Sequence, residues 1–269
     1  AAWAVFWANI LITIYIWIRF EYRFGIAAAV TTTHDVLAVL GIMWLLQKDF
    51  NLLTVTALLT VAAALIAVQI TLGALTVWLK LAPWTVTAHL ITGNAFASTA
   101  FLLALAFRAK RRTHELHSLV SIRKRLGITA VGGLLLIQLG LGGLVSSQYA
   151  GMACPEWPTC NGGVWFPSWG GAVGLHLFHR MTAYALIVCL GVAAYSCRRD
   201  RHLRRITALA FALGILQGSV GVASVRNGIP VELTGLHTAL AAALVLTVVY
   251  ALHEVWSTFG ERKSLSATH

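Results

Sequence analysis

Eight apolar windows, each near the ~20 residues needed to cross a bilayer core, constrain this chain more than any other feature. They fall at about 2–18, 25–46, 53–78, 84–107, 127–146, 172–195, 204–224 and 231–252. A backbone inside hydrocarbon must satisfy its own N–H and C=O groups, so windows of this length and apolarity are helices. With 58% hydrophobic and only 11% charged residues, against roughly 25% charged in a soluble domain, the sequence predicts an all-α integral membrane protein of eight transmembrane helices.

The formal charge of +11 raises the question of nucleic acid, and the placement of the cations answers it. Arg108, Lys110, Arg111, Arg112, Arg123, Lys124 and Arg125 separate the fourth and fifth windows, and Arg198, Arg199, Arg201, Arg204 and Arg205 separate the sixth and seventh. Lys48, Arg262 and Lys263 join them on one side, while the other side has only Arg19, Arg23, Lys80 and Arg226. The positive-inside rule makes the basic side cytoplasmic. Both termini are then inside, the loops after the first, third, fifth and seventh windows face outward, and the clusters meet anionic lipid rather than nucleic acid. No cleavable leader is expected.

An internal repeat divides the chain. Gln69 to His89 (QITLGALTVWLKLAPWTVTAH) returns 148 residues later as Gln217 to His237 (QGSVGVASVRNGIPVELTGLH), keeping the Gln, a Gly (Gly73, Gly221), a Val (Val77, Val225), a nearby Pro (Pro83, Pro230) and the closing His. Each copy reads as a membrane helix, a surface turn and a return helix holding one imidazole at shallow depth. The expected domains are a four-helix half over 1–107, a basic cytoplasmic linker over 108–126 and a second four-helix half over 127–269, the two bundles related by a pseudo-twofold axis. The fifth window, with Gly at spacings of three and four, permits close helix approach.

Candidate chemistry gathers near the outer ends. His34, with Asp35 beside it, lies in the second window, His89 in the fourth, His179 in the sixth and His237 in the eighth. At about 1.5 Å per residue these four share a layer roughly 7–14 Å below the outer helix ends. His176 lies on the same helical face as His179, and Arg180 adds a membrane-embedded cation, for which an anion such as a heme propionate or snorkelling to headgroups are the two readings. Zinc or copper needs ligands converging on one ion. Two separated pairs, His34 with His89 and His179 with His237, instead suit axial ligation of heme, whose flat apolar ring fits a four-helix interior. Cys154 and Cys160 sit on the predicted outer side, where disulfides persist, without further Cys or His at a metal-binding spacing. A disulfide there is expected, with redox activity as one of its uses. Cys189 and Cys197 are expected to be unpaired.

The Q-x3-G-x3-V…P…H repeat, the C-P-x-W-P-x-C-x-G loop at Cys154 to Gly162 and the H-x2-H-R run at His176 to Arg180 together resemble the heme A synthase family. The resemblance runs from about the second window to the eighth. It implies a pseudo-twofold eight-helix enzyme that oxidises a methyl group of heme O to the formyl group of heme A. It also implies a resident heme b held by His179 and His237, and a substrate heme beside His34 and His89. The Cys pair of the family's C-terminal half matches Cys154 and Cys160. Two departures stand out: Thr31 occupies the place of the family's Glu three residues before the first His, and the connection around Glu21 to Gly25 is too short for a first Cys loop. Thr31, His34, Asp35 and His89 are thus the candidate catalytic set, with Asp35 as the carboxylate available for proton transfer.

The implied partners are heme O, delivered by a heme O synthase, an electron donor that the sequence does not name, the bilayer, and a homo-oligomer or larger respiratory assembly. The implied location is a bacterial cytoplasmic membrane or the mitochondrial inner membrane. The alternative reading is a non-catalytic b-type cytochrome carrying electrons through bis-His hemes, which the two departures favour.

Overall fold

Helix formation in this chain follows the apolar windows but extends past them. The computed structural model describes residues 52–108 and 120–266, with side chains over 56–106 and 120–256. By its contacts the chain divides into residues 1–51 and 52–269, and the helices below belong to the second unit. Thr31, His34, Asp35 and the windows at 2–18 and 25–46 lie outside the described residues, as does most of the basic linker.

Among the described residues the helices are α1 (Leu52–Trp78), α2 (Pro83–Arg108), α3 (Ile122–Ser147), α4 (Gly171–Ser196), α5 (Arg201–Arg226) and α6 (Val231–Ser266), with a single 3-10 turn at Ala150–Met152. All 6 are long and apolar enough to cross a membrane, and the protein is an integral membrane protein. The ends differ from the windows where charge begins: α3 starts at Ile122 and takes in Arg123, Lys124 and Arg125. Hydropathy marks only what lies in hydrocarbon, whereas backbone hydrogen bonding continues into the headgroup zone. On the basic side Asp200 caps α5, its carboxylate accepting from the backbone N–H groups of His202 and Leu203, the usual role of Asp at an N-terminus.

α3 to α6 share one apolar core of Val131, Leu135, Leu186, Leu190, Ala210, Leu244, Val245 and Val248. A second cluster at the basic end joins Ile128, Cys197, Leu203, Ile206, Ala251 and Val255. Burial raises the thiol pKa of Cys197, and Cys189 and Cys197 are both free, as expected. The α1–α2 hairpin joins this bundle through α2, which packs on α3 and α6. There Gly143 lets α2 approach so closely that an added Cβ would stand 3.2 Å from the Cα of Thr87.

The repeat holds at the level of the backbone. α1 ends with Leu81 N–H donating to Thr76 O at 2.8 Å and Lys80 N–H to Val77 O at 3.2 Å, while α5 ends with Ile229 N–H to Ser224 O at 2.8 Å and Gly228 N–H to Val225 O at 3.1 Å. Both are the nested six-to-one and five-to-two pattern of a Schellman cap. The left-handed position is Lys80 (φ 51°) in one copy and Gly228 (φ 73°) in the other. Pro83 and Pro230 then set the return helices, so His89 and His237 are each six residues beyond the first residue of their helix, at Pro83 and Val231.

Candidate functional site

The connection between α3 and α4 is built around a disulfide. Cys154 and Cys160 are bonded, with Cα atoms 4.4 Å apart, and both are fully buried against Leu177 of α4. Glu156 closes the loop from within: its carboxylate accepts from Gly162 N–H and Gly163 N–H, each at 3.0 Å, and from Thr159 Oγ1 at 2.9 Å. Those three donors favour the ionised form and hold the carboxyl pKa below its ordinary value.

Arg180 ties this loop to α4. Its Nη2 donates to Cys154 O at 2.5 Å and Glu156 O at 3.0 Å, its Nη1 to Thr159 O at 3.1 Å, and its Nε to His176 Nε2 at 3.2 Å. The neighbouring histidines of the H-x2-H-R run therefore have separate duties. His176 is buried and engaged by Arg180, while His179 turns toward α3.

Around His179 the structure shows a setting that the repeat did not include. Gln138 of α3 places Nε2 at 3.2 Å from His179 Nδ1 and donates to His179 O at 3.2 Å. Thr182 Oγ1 donates to Gln138 Oε1, fixing the amide. One turn along α3, a Cβ added at Gly142 would stand 3.2 Å from the ring's Cε1. The α1–α2 hairpin repeats these contacts: Gln69 Nε2 is 3.3 Å from His89 Nε2, Thr92 Oγ1 donates to Gln69 Oε1 at 2.5 Å, and a Cβ on Gly73 would stand 3.2 Å from His89 Cε1. At His237 the corresponding glycine is Gly221, with 3.1 Å to Cε1, and the glutamine is Gln217. Sequence reasoning noted Gln69, Gln217 and both glycines as a repeat without a role, and missed Gln138, Gly142, Thr92 and Thr182.

The depths agree as well. His89 and His237 lie six residues, and His179 eight, beyond the first residue of their helices, which is roughly 9–12 Å at about 1.5 Å per residue. Among the described residues, Nδ1 of His89 and Oε1 of Gln217 are buried in this layer without a partner. Among the described residues no group of three or more His, Cys, Asp or Glu side chains gathers as a chelate. The donor set is one of single imidazoles on separate helices, which suits heme better than a bare ion. A groove of about 710 Å³ also runs along outer α6, lined by Ile229, Val231, Thr234, Gly235, Thr238 and Ala239 with Ala242; His237 is not among its walls.

Comparison with known proteins fits this picture. Residues 17–249 match the family model COX15-CtaA, cytochrome oxidase assembly protein. The chain is 31% identical over 216 residues to a heme A synthase of Shewanella oneidensis, covering 71% of this chain and 64% of that protein's length, just under two thirds. It is 27% identical over 214 residues to a heme A synthase of Listeria monocytogenes, covering 78% of this chain and 68% of that protein. A shorter likeness, 52% identical over 62 residues, links 23% of the chain to 21% of protein translocase subunit SecF of Thermodesulfovibrio yellowstonii. By the breadth of the profile match, the chain belongs to the COX15-CtaA family of cytochrome oxidase assembly proteins.

Proposed function

We propose that this protein is a membrane heme oxidoreductase that converts the ring methyl of heme O to the formyl of heme A, with a resident b-type heme between His179 and His237. The observation that carries the reading is the matched depth of these two imidazoles on α4 and α6. Each is backed by a close-packed glycine. A histidine that ligates iron through one nitrogen gives its other N–H to an oxygen acceptor, and the backbone carbonyl of Gln217 is such an acceptor beside His237. A heme held by two imidazoles supplies one-electron transfer.

The chain's own residues do the rest. Gln138 and Thr182 hold the His179 ring, Arg180 and the Cys154–Cys160 loop cover the outer end of the bundle, and one Nη1 hydrogen of Arg180 remains for a propionate. His89, in its own Gln69 and Thr92 setting, is the imidazole offered to the substrate heme. His34, which the sequence suggested as its partner, lies with Thr31 and Asp35 outside the described residues, and this reading does not depend on it. The topology that goes with this reading places both termini in the cytoplasm and the disulfide loop outside, with the bundles related by a pseudo-twofold axis.

The test is to express the chain with a heme O synthase in membranes that make no heme A, then extract and identify the hemes. Heme A well above the vector control supports the reaction, and heme O alone refutes it. One observation favours a second reading, an electron-carrying b-type cytochrome: Thr31 stands where the family carries a Glu, so the first half lacks its expected carboxylate. That reading predicts bis-His heme in the purified protein with no modified porphyrin.

A further inference from the structure

The three imidazoles His89, His179 and His237 share a setting made by the helix that precedes each of them. The unit is Gln-x3-Gly: Gln69 with Gly73, Gln138 with Gly142, and Gln217 with Gly221. Residues four apart lie one above the other on a helix face. The glycine therefore opens space for the ring edge, at 3.1–3.2 Å from a hypothetical Cβ, and in the first two units the amide meets the ring one turn away. Ordinary carbon contacts run at about 3.5–4.0 Å, so any side chain at these glycines displaces the imidazole. In two settings a Thr three residues after the His, Thr92 or Thr182, clamps the amide. In the third Leu240 stands there, and among the described residues Gln217 Oε1 has no partner.

We propose that the Gln-x3-Gly step is a positioning device that fixes the rotation of each heme-ligating imidazole before iron binds. Gln138 acts on the heme through His179 and touches no reacting atom. This rests on the functional reading above. Loss of a residue that orients a metal ligand typically weakens metal retention by about 10- to 100-fold.

The experiment purifies the full chain and its Gln138→Leu, Gln138→Glu and Gly142→Val variants from heme-replete membranes. Heme per protein, the electron paramagnetic resonance of the ferric low-spin heme and the unfolding temperature are then read. Gln138→Leu is expected to retain heme about 10- to 100-fold less tightly with a shifted low-spin signal and an unchanged unfolding temperature, while Gln138→Glu keeps an oxygen for Thr182 and partly restores the wild-type signal. A Gln138→Leu protein whose retained heme has the wild-type signal and affinity overturns the proposal. So does one whose only change is a lower unfolding temperature. A wild-type chain that takes up no heme overturns the functional reading, and this proposal with it.

An independent observation bears on His34. The likeness to SecF covers 62 residues at 52% identity, and a second SecF, from Rhodobacter capsulatus, matches 61 residues at 46%. The repeat copies, the disulfide loop and the H-x2-H-R run occupy residues 69–237, leaving 68 residues before Gln69 and 32 after His237. A match of this length fits ahead of Gln69 without crossing any of them. The family model also reaches back to residue 17, so this stretch can carry both likenesses. Identity is higher to SecF, 52% against 31% over the heme A synthase match. The window at 2–18 contains neither Gln nor Gly, so it has no Gln-x3-Gly step to seat an imidazole on the next helix.

We infer that the stretch ahead of Gln69 is a SecF-like segment joined to a heme-family body, and that His34 and Asp35 hold no heme. This accounts for Thr31 in the place of the family's Glu and for the short connection at Glu21 to Gly25. Full-length His34→Ala is expected to match the wild type in heme per protein and in its low-spin signal, whereas His179→Ala loses both. A His34→Ala protein with reduced heme or an altered low-spin signal overturns the inference, and a wild type without heme removes its ground together with that of the functional reading.

Discussion

Replacing Arg180 by Met keeps an unbranched apolar stem and removes every donor. Three loop carbonyls, Cys154 O, Glu156 O and Thr159 O, then lose their partner, as does His176 Nε2. A hydrogen bond to a charged donor is worth about 1.5–3 kcal/mol, but bonds in one network do not add in full. Glu156 and Thr159 are only partly buried, so water takes over part of their need. Counting roughly two effective bonds at the low end gives about 3 kcal/mol of local stability, or about 100-fold faster opening of the loop.

Hydrogen exchange read by mass spectrometry on detergent-solubilised protein resolves this. The reporters are the loop amides of Glu156, Cys160, Gly162, Gly163 and Val164, all hydrogen-bonded within the loop. Their exchange should accelerate about 100-fold while amides of Leu186, Leu190, Val245 and Val248 in the bundle core hold. Loop amides within about 3-fold of wild type, or loop and core accelerating together, would refute the argument that Arg180 acts locally as the loop's anchor.

Other consequences follow from the same contacts. Replacing Cys154 and Cys160 by Ser removes a short cross-link, and chain entropy sets the loss at about 2 kcal/mol; thermal unfolding of the double variant should show it, with core amides less affected than loop amides. Because the folded pKa of Glu156 lies below the ordinary value of 4.5, its contribution is fully present above that value and is lost as pH falls through the lower folded one. Loop exchange, corrected for intrinsic rate, should therefore stay flat from neutral to about pH 5 and rise below it, and Glu156→Gln should abolish the step. Gly143→Ala forces a Cβ to 3.2 Å from the Cα of Thr87, an overpacking cost of about 1–3 kcal/mol; Gly133→Ala, with nothing within 4 Å, should leave the unfolding temperature level or higher.

Much of this architecture was legible because hydrocarbon permits so few folds. The spans of α1, α2, α4 and α5 follow the apolar windows to within three residues. α3 and α6 run further at their basic ends, where charge ends the hydropathy signal but not the helix. The disulfide was readable from two cysteines in one outward loop. The Gln138 setting was not readable, because the repeat was recognised at a fixed separation. Gln69 and His89 are 20 residues apart, whereas Gln138 and His179 are 41 apart, the disulfide loop having been inserted between the two helices. Arg180 suggested a propionate ligand, and only coordinates could show the loop carbonyls converging on it, since they are brought there by chain bends that carry no side-chain signal.

The central claim is that His179 and His237 grip one heme between them. Its most direct test is the heme content and low-spin spectrum of the purified full-length chain beside His179→Ala and His237→Ala. The account predicts about one bis-imidazole heme per chain at this pair, lost or converted to high spin in either variant. Full retention of the low-spin signal in both variants would contradict it.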